Sequence, residues 1–450
     1  MLSEEALLLV GLFVFVLQLM RQKRTVTDAW DEIFLSNHIS DKYIPRSEPL
    51  QEFTYPPATA LLAKYLAFDG IIDRFKYFNF AIDFVLFLIV AITLFGLDKF
   101  DVKIVLALLM SSPHRMSPWA GYSSVSARVI GKACVVSLLC AAISLNIYLF
   151  IAAAFFICLI MIYSSKFALQ CLVIILPIIA VIEGTEKFVA TVLCIGIIIA
   201  LSKRARTILK GHYQHSKFYR QTLSSVNQNI QKTYRDSLKD KVKKTKIIRI
   251  LTYSPTILYV PVLVQDLDWF RPLSLYVFIV FVVVSTKYFR FLGEAERYVY
   301  WLLTPFCLVY ASDYEHVYLF VIINTLISVS MFLLYRKNGS HINLSGVQAA
   351  IEYLDKHHPS ALVLMNPLNL MGYGLKFSKY LRFYGFLQNA PLGSPEFNEI
   401  SNFIEKSGYP YLQNSTDFKK VDYLISTREL DSGLKTLLNY DNVYVYECSK

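Results

Sequence analysis

Runs of about 15 to 20 residues with at most one charged side chain recur along most of this chain, and that length is what a helix needs to cross a bilayer. A water-facing helix needs a polar face, and these segments have none. The apolar runs fall at 6–20, 80–97, 104–110, 129–144, 147–163, 167–182, 188–201, 250–264, 273–285, 299–310 and 317–335. The stretch 129–163 is too long for one ordinary span, and Asn146 offers a break for a tight helical hairpin. The expectation is an α-helical polytopic membrane protein of about eleven transmembrane helices. With only 18% charged residues, against about 25% in soluble proteins, the chain is neither disordered nor an ordinary soluble enzyme.

After Tyr335 the composition becomes that of a soluble domain. Helical periodicity at 347–355 and 397–404, and short β-rich runs at 361–364, 423–425 and 443–446, predict a small C-terminal α/β domain over 336–450. The membrane part, 1–335, carries a long first loop at 22–79 and a second at 203–249. The first apolar run lacks the basic start and small-residue cleavage site of a signal peptide, so it reads as an uncleaved helix.

Net charge is 45 − 34 = +11, and the 203–249 loop alone holds 14 Lys/Arg against Asp236 and Asp240. In a membrane protein such charge suits membrane lipids or lipid-linked phosphates, with no nucleic acid partner. Of seven cysteines, six lie within apolar runs and only Cys448 has polar neighbours, so no disulfide or metal framework is legible. A divalent metal is compatible with the chemistry below, but no ligand set for one stands out and the cofactor is left unknown.

Polar residues at membrane boundaries are the candidates for chemistry. Asp28, Asp31 and Glu32 open the first loop, spaced so that a helix places Asp28 beside Asp31 and Glu32 on one face. Paired carboxylates there form a base site or, as acids in a first turn more commonly do, simply suit the start of a helix. Tyr55, before Pro56 and Pro57, reads as a residue at head-group level. His114, Arg115 and Arg128 in the island 111–128 are phosphate ligands or head-group anchors. Arg290, Glu294, Glu296 and Arg297 pack four charges into eight positions, either a functional cluster or snorkelling flanks.

The order of these features resembles the GT-C superfamily of membrane glycosyltransferases, which includes protein O-mannosyltransferases, aminoarabinose transferases of lipid A and oligosaccharyltransferases. The likeness rests on Asp28-Ala29-Trp30-Asp31-Glu32, then Ile44-Pro45, then Tyr55-Pro56-Pro57, a polytopic body and a soluble tail. The segments ending at Arg128 and spanning 291–298 look like phosphate-side and late-loop elements of some members. The resemblance implies an inverting transferase taking a sugar from a polyprenyl-phosphate donor on the non-cytoplasmic face, in a cell membrane or endoplasmic reticulum. It implies an acceptor that is a lipid, glycan or protein.

It further implies Asp28 or Asp31 as the base, with Glu32 orienting it. Arg128, Arg297, Arg290 and His114 would lie on the donor phosphate, and Tyr55, Glu294 and Glu296 would position substrate. Eleven spans would put the first loop, the basic loop, the 291–298 segment and the tail on one outer side. The positive-inside rule opposes that orientation, although long loops translocate largely regardless of charge. Sequons at Asn338, Asn343 and Asn414 agree with an outer tail. The competing functions are a transporter or flippase for an anionic lipid-linked solute, and a scaffold whose tail binds partners.

Overall fold

The computed structural model describes residues 3–21, 27–66 apart from 42, 52, 53 and 55, then 74–96, 100–116, 127–218, 246–286, 289, 292, 295–313 and 317–336. In the tail it describes 343–385, 394–407, 411–412, 418–430 and 433–448. The chain forms two compact units. One takes in Met1–Arg24, Phe68–Arg206 and Asp236–Gly339; the other takes in Thr25–Ala67, Thr207–Arg235 and Ser340–Lys450.

The first unit is helical. Among the described residues, three of its helices are long and apolar enough to cross a membrane: Phe75–Phe95, Ile147–Ser164 and Lys166–Glu183. Two sharply bent pairs, Thr185–Leu201 with Lys203–Gln214 and Lys246–Tyr253 with Pro255–Asp266, raise the number to five if each is one span. The expected eleven spans are therefore not found among the described residues. Proline and chain breaks are the physical reason, because an apolar run is not one helix when its backbone is interrupted. The run at 299–310 divides into Glu296–Leu302 and Thr304–Tyr310, with Pro305 in the first turn of the second helix. The run at 104–110 becomes the ten-residue helix Val102–Ser111. Phe270–Ser285 is apolar but shorter than a span, and Val317–Arg336 is apolar over 317–333.

The hairpin at Asn146 is present: Arg128–Ser144 ends just before it, and the Asn146 side chain caps Ile147–Ser164 by accepting from Leu149 N at 3.1 Å. Helix Arg128–Ser144 is the centre of this unit, with twelve of its 17 residues buried. Its neighbour Ile147–Ser164 instead turns apolar side chains outward, Tyr148 and Phe156 among them, as a lipid-facing helix does. Close backbone approach needs small residues: a Cβ on Gly11 would stand 2.8 Å from Ala107 O, where helix Glu4–Arg21 meets Val102–Ser111.

The second unit is α/β, as the tail's periodicity indicates, and it extends beyond the tail into the first loop. Its six strands are β1 (Ser47–Glu48), β2 (Leu362–Asn366), β3 (Arg382–Tyr384), β4 (Tyr423–Ser426), β5 (Lys435–Tyr440) and β6 (Val443–Glu447). They lie in the order β1-β3-β2-β4-β6-β5, with the first four parallel and the last two antiparallel additions. β2, β4 and β6 coincide with the three β-rich runs; β1, β3 and β5 are additions to that reading. The central strand β2 is buried over 363–366, as a parallel strand covered on both faces must be. Asp441 and Asn442 turn the β5–β6 hairpin with φ of 56° and 64°, the left-handed values a two-residue loop demands.

Helix Leu344–His357 presents Val347, Ala350, Ile351 and Leu354 inward at helical spacing. Asn343 caps it, accepting from Gly346 N at 3.1 Å while its amide donates to Asp441 O at 2.9 Å. The Asn343 sequon is thus engaged in the fold on both ends of its amide. Asn338 and Asn414 lie outside the described residues.

Candidate functional site

Within the first unit, the single acid of one apolar helix meets a base inside another. Asp83, on Phe75–Phe95, has its side chain at 0% exposure, and the Lys132 ammonium from Arg128–Ser144 pairs with its Oδ1. Its other oxygen lies 2.9 Å from His114 Nε2, in the short turn Pro113–Met116. Next to His114, Arg115 Nε donates to Gln18 Oε1 at 2.9 Å, and its guanidinium rests over the rings of Phe15 and Phe80. Gln18 Nε2 in turn donates to Ser112 O at 3.1 Å and Ser328 Oγ at 3.2 Å. The Tyr300 hydroxyl donates to the His114 carbonyl. Helices from both ends of the unit are thereby tied to one turn. Burial on this scale is costly for charge unless the charges are paired or hydrogen-bonded; here Asp83, Lys132 and His114 are paired, and Arg115 is hydrogen-bonded to Gln18.

His114 thus sits inside a buried pair rather than at a head-group boundary. Glu296 is also buried, 3.2 Å from Arg249 Nη1, so a base of the second loop's end holds it. Arg297 places its guanidinium 4.5 Å from the centre of the Phe167 ring. Arg128 is half-buried at the first position of its helix. Arg290 and Glu294 lie outside the described residues. Asp83 and Lys132 escaped the sequence reading, although each is a single charge in an otherwise apolar run. That is the signal by which intramembrane ionisable groups are found.

The second unit contains the acidic helix Thr27–Leu35, which bears Asp28, Asp31 and Glu32. The side chains of Asp28 and Glu32, and all of Tyr55, lie outside the described residues. Asp31 is buried at 4% exposure. Its Oδ1 would stand 2.0 Å from a Cβ on Gly372, in helix Met371–Phe377, and its backbone N would stand 2.8 Å from that Cβ. Only a residue without a side chain admits so close an approach. Trp30 packs edge-on against Tyr373 and Phe377, at ring distances of 5.0 and 5.3 Å. The start of the first loop is thus docked on the tail.

Two further contacts fix the same loop. Arg46 donates to Ser378 O at 2.6 Å and Leu375 O at 2.5 Å, and burial draws its pKa down while Asp355 opposes the shift. Asp355 accepts from Ser378 Oγ, Lys379 N, Tyr380 N and Leu381 N, all at 2.8 to 3.2 Å. Such a carboxylate is a structural nest for a turn rather than a base open to substrate.

Among the described residues no group of three or more His, Cys, Asp and Glu stands together as a metal site. All seven cysteines are free and buried, Cys448 included.

No family model matches the chain, and no curated protein does. Among solved structures, the crystal structure of the Archaeoglobus fulgidus oligosaccharyltransferase in complex with Zn and sulfate is similar over 93% of this chain and 67% of that one, at 10% identity and a TM-score of 0.48. No residue correspondence follows from a likeness of that size.

Proposed function

We propose that this chain is a polytopic membrane glycosyltransferase. It transfers a sugar, with inversion, from a polyprenyl-phosphate carrier on the non-cytoplasmic face to a lipid, glycan or protein acceptor. Asp28 removes the acceptor proton as the anomeric carbon is attacked, and Glu32 orients it. Asp31, buried against Gly372, holds the helix in place. Positive groups must stabilise the lipid phosphate as it leaves. Arg128, Arg297 and Arg290 are assigned that role, with Tyr55, Glu294 and Glu296 positioning substrate. His114 acts behind them, through the buried Asp83 pair.

The observation that carries this reading is that the acidic helix Thr27–Leu35 folds into one compact unit with the tail. Segments packed into one polar unit share one side of a membrane, which supports the same-side expectation without any count of spans. An acidic helix built into a soluble lobe is a supported element, as a catalytic carboxylate requires.

A second reading, transport of an anionic lipid-linked solute, is favoured by Asp83–His114–Lys132, since buried charge among apolar helices marks ion pathways. One experiment separates the two. Purified protein is supplied with a polyprenyl-phosphate sugar, and turnover per folded molecule is measured for Asp28→Asn and Asp31→Asn. Loss of the base lowers turnover by about 10²–10⁴-fold with the fold intact. Asp31→Asn is expected to lower stability first. Turnover unchanged in Asp28→Asn, or none in the unaltered protein, refutes the assignment.

A further inference from the structure

The helix Lys203–Phe218 carries an exposed stripe that the transferase reading does not use. Lys203, Arg206, Lys210, Tyr213 and Lys217 are all exposed, and their spacing of three, four, three and four residues puts them on one helical face. Tyr213 is 72% exposed. Between them, Ala205 and Ile208 are fully buried, and Gly211 leaves no room for a Cβ beside Thr54 Oγ1. No acidic residue lies anywhere in the helix.

This helix leaves the apolar helix Thr185–Leu201 through a bend of 107°. Ser202 makes the bend, accepting from Ala205 N at 3.1 Å, and Arg206 Nη1 donates back to Ile199 O and Ala200 O at 2.9 and 2.8 Å. A basic helix with one apolar side and cations along the other is of the kind that lies at a bilayer surface. Leu201, the last apolar residue before the bend, is 81% exposed. We propose that the Lys203–Lys217 stripe is a docking surface for the head groups of anionic phospholipids, with Tyr213 seated at the head-group level. Cations suit the head-group phosphates, and a tyrosine ring suits the boundary just beneath them.

The test uses the full chain in lipid nanodiscs. All seven native cysteines are buried, so Tyr213→Cys provides a selective site for a bimane label. Nanodiscs contain phosphatidylcholine with phosphatidylglycerol, and either lipid is supplied in brominated form to quench the label. Quenching by brominated phosphatidylglycerol is expected to exceed that by brominated phosphatidylcholine, and to fade as salt is raised. Each of Lys203→Gln, Lys210→Gln and Lys217→Gln should reduce the enrichment by about fivefold at low ionic strength, the factor one surface charge contributes. Inorganic phosphate should compete no better than chloride of equal ionic strength. Equal quenching by the two lipids, the same enrichment in the triple Gln variant, or no quenching at all because the stripe faces water or another protein, would each overturn the proposal.

Discussion

Replacing Asp83 by Asn removes one charge and almost no volume from the middle of the first unit. The Lys132 ammonium, 3% exposed, then loses its carboxylate, and one amide oxygen is left where two carboxylate oxygens met Lys132 and His114. Breaking a buried ion pair from one side costs about 3–5 kcal/mol, because the remaining charge stays out of water. In a body of a few hundred residues, each kcal/mol moves the unfolding midpoint by about 2–4 °C, so the variant should melt about 6–20 °C lower. Lys132→Met should cost a comparable amount, since it strands the carboxylate instead. The double variant Asp83→Asn with Lys132→Met removes both charges and should recover to within about 2 kcal/mol of the starting protein. The assay is thermal unfolding of the purified protein in one detergent at one scan rate, which keeps irreversible steps equal across the four members of the cycle. If either single variant melts within about 2 °C of the original, or the double loses the sum of the singles, the pair does not hold these helices as argued.

Gly372→Ala places a methyl where Asp31 Oδ1 and backbone atoms already stand, at 2.0 to 2.9 Å. Because backbone cannot yield cheaply, hydrogen exchange across 29–35 should speed up, at a cost of about 1–3 kcal/mol; unchanged exchange would place the loop helix elsewhere. In the tail, Lys420 holds the Glu399 carboxylate below its ordinary pKa of 4.5, with burial opposing and Tyr384 assisting. A lowered folded pKa contributes stability above pH 4.5 that is lost as pH falls through the folded value. Glu399 is 40% exposed, so the effect is small. Glu399→Gln should weaken exchange protection of 394–407 at neutral pH, and that gap should close in acid; a gap independent of pH would exclude the ion pair as its cause.

The legible parts of this protein were those with a local period. The tail's helices and its three buried strands follow from apolar spacing, and Asn146 announced the hairpin through its capping side chain. The span count was not legible, because hydropathy adds up residues whether or not one helix contains them. Thr304-Pro305 and Ser254-Pro255 break apolar runs that a sliding window treats as continuous. The missing strands are short or exposed: β1 has two residues, and β5 alternates weakly. β1 is also recruited across more than three hundred residues of chain, which no window can see. Asp83 and Lys132 were visible as solitary charges, but their partnership depends on which helices pack together.

The acidic first-loop helix illustrates how a motif's residues separate once burial is considered. Spacing makes Asp28, Asp31 and Glu32 equivalent neighbours on one face, yet a carboxylate pressed against Gly372 has no room beside it for an acceptor hydroxyl. Deprotonating a substrate requires that the base reach it within hydrogen-bond distance, so a side chain enclosed by its own fold is poorly placed for the step. The same enclosure is useful in another way. A helix anchored at Asp31 and Trp30 has a fixed direction. The anchoring partners, Gly372, Tyr373 and Phe377, all come from one seven-residue helix of the tail. Any activity that depends on Asp28 therefore depends on the tail as well, although no tail residue is assigned a chemical step.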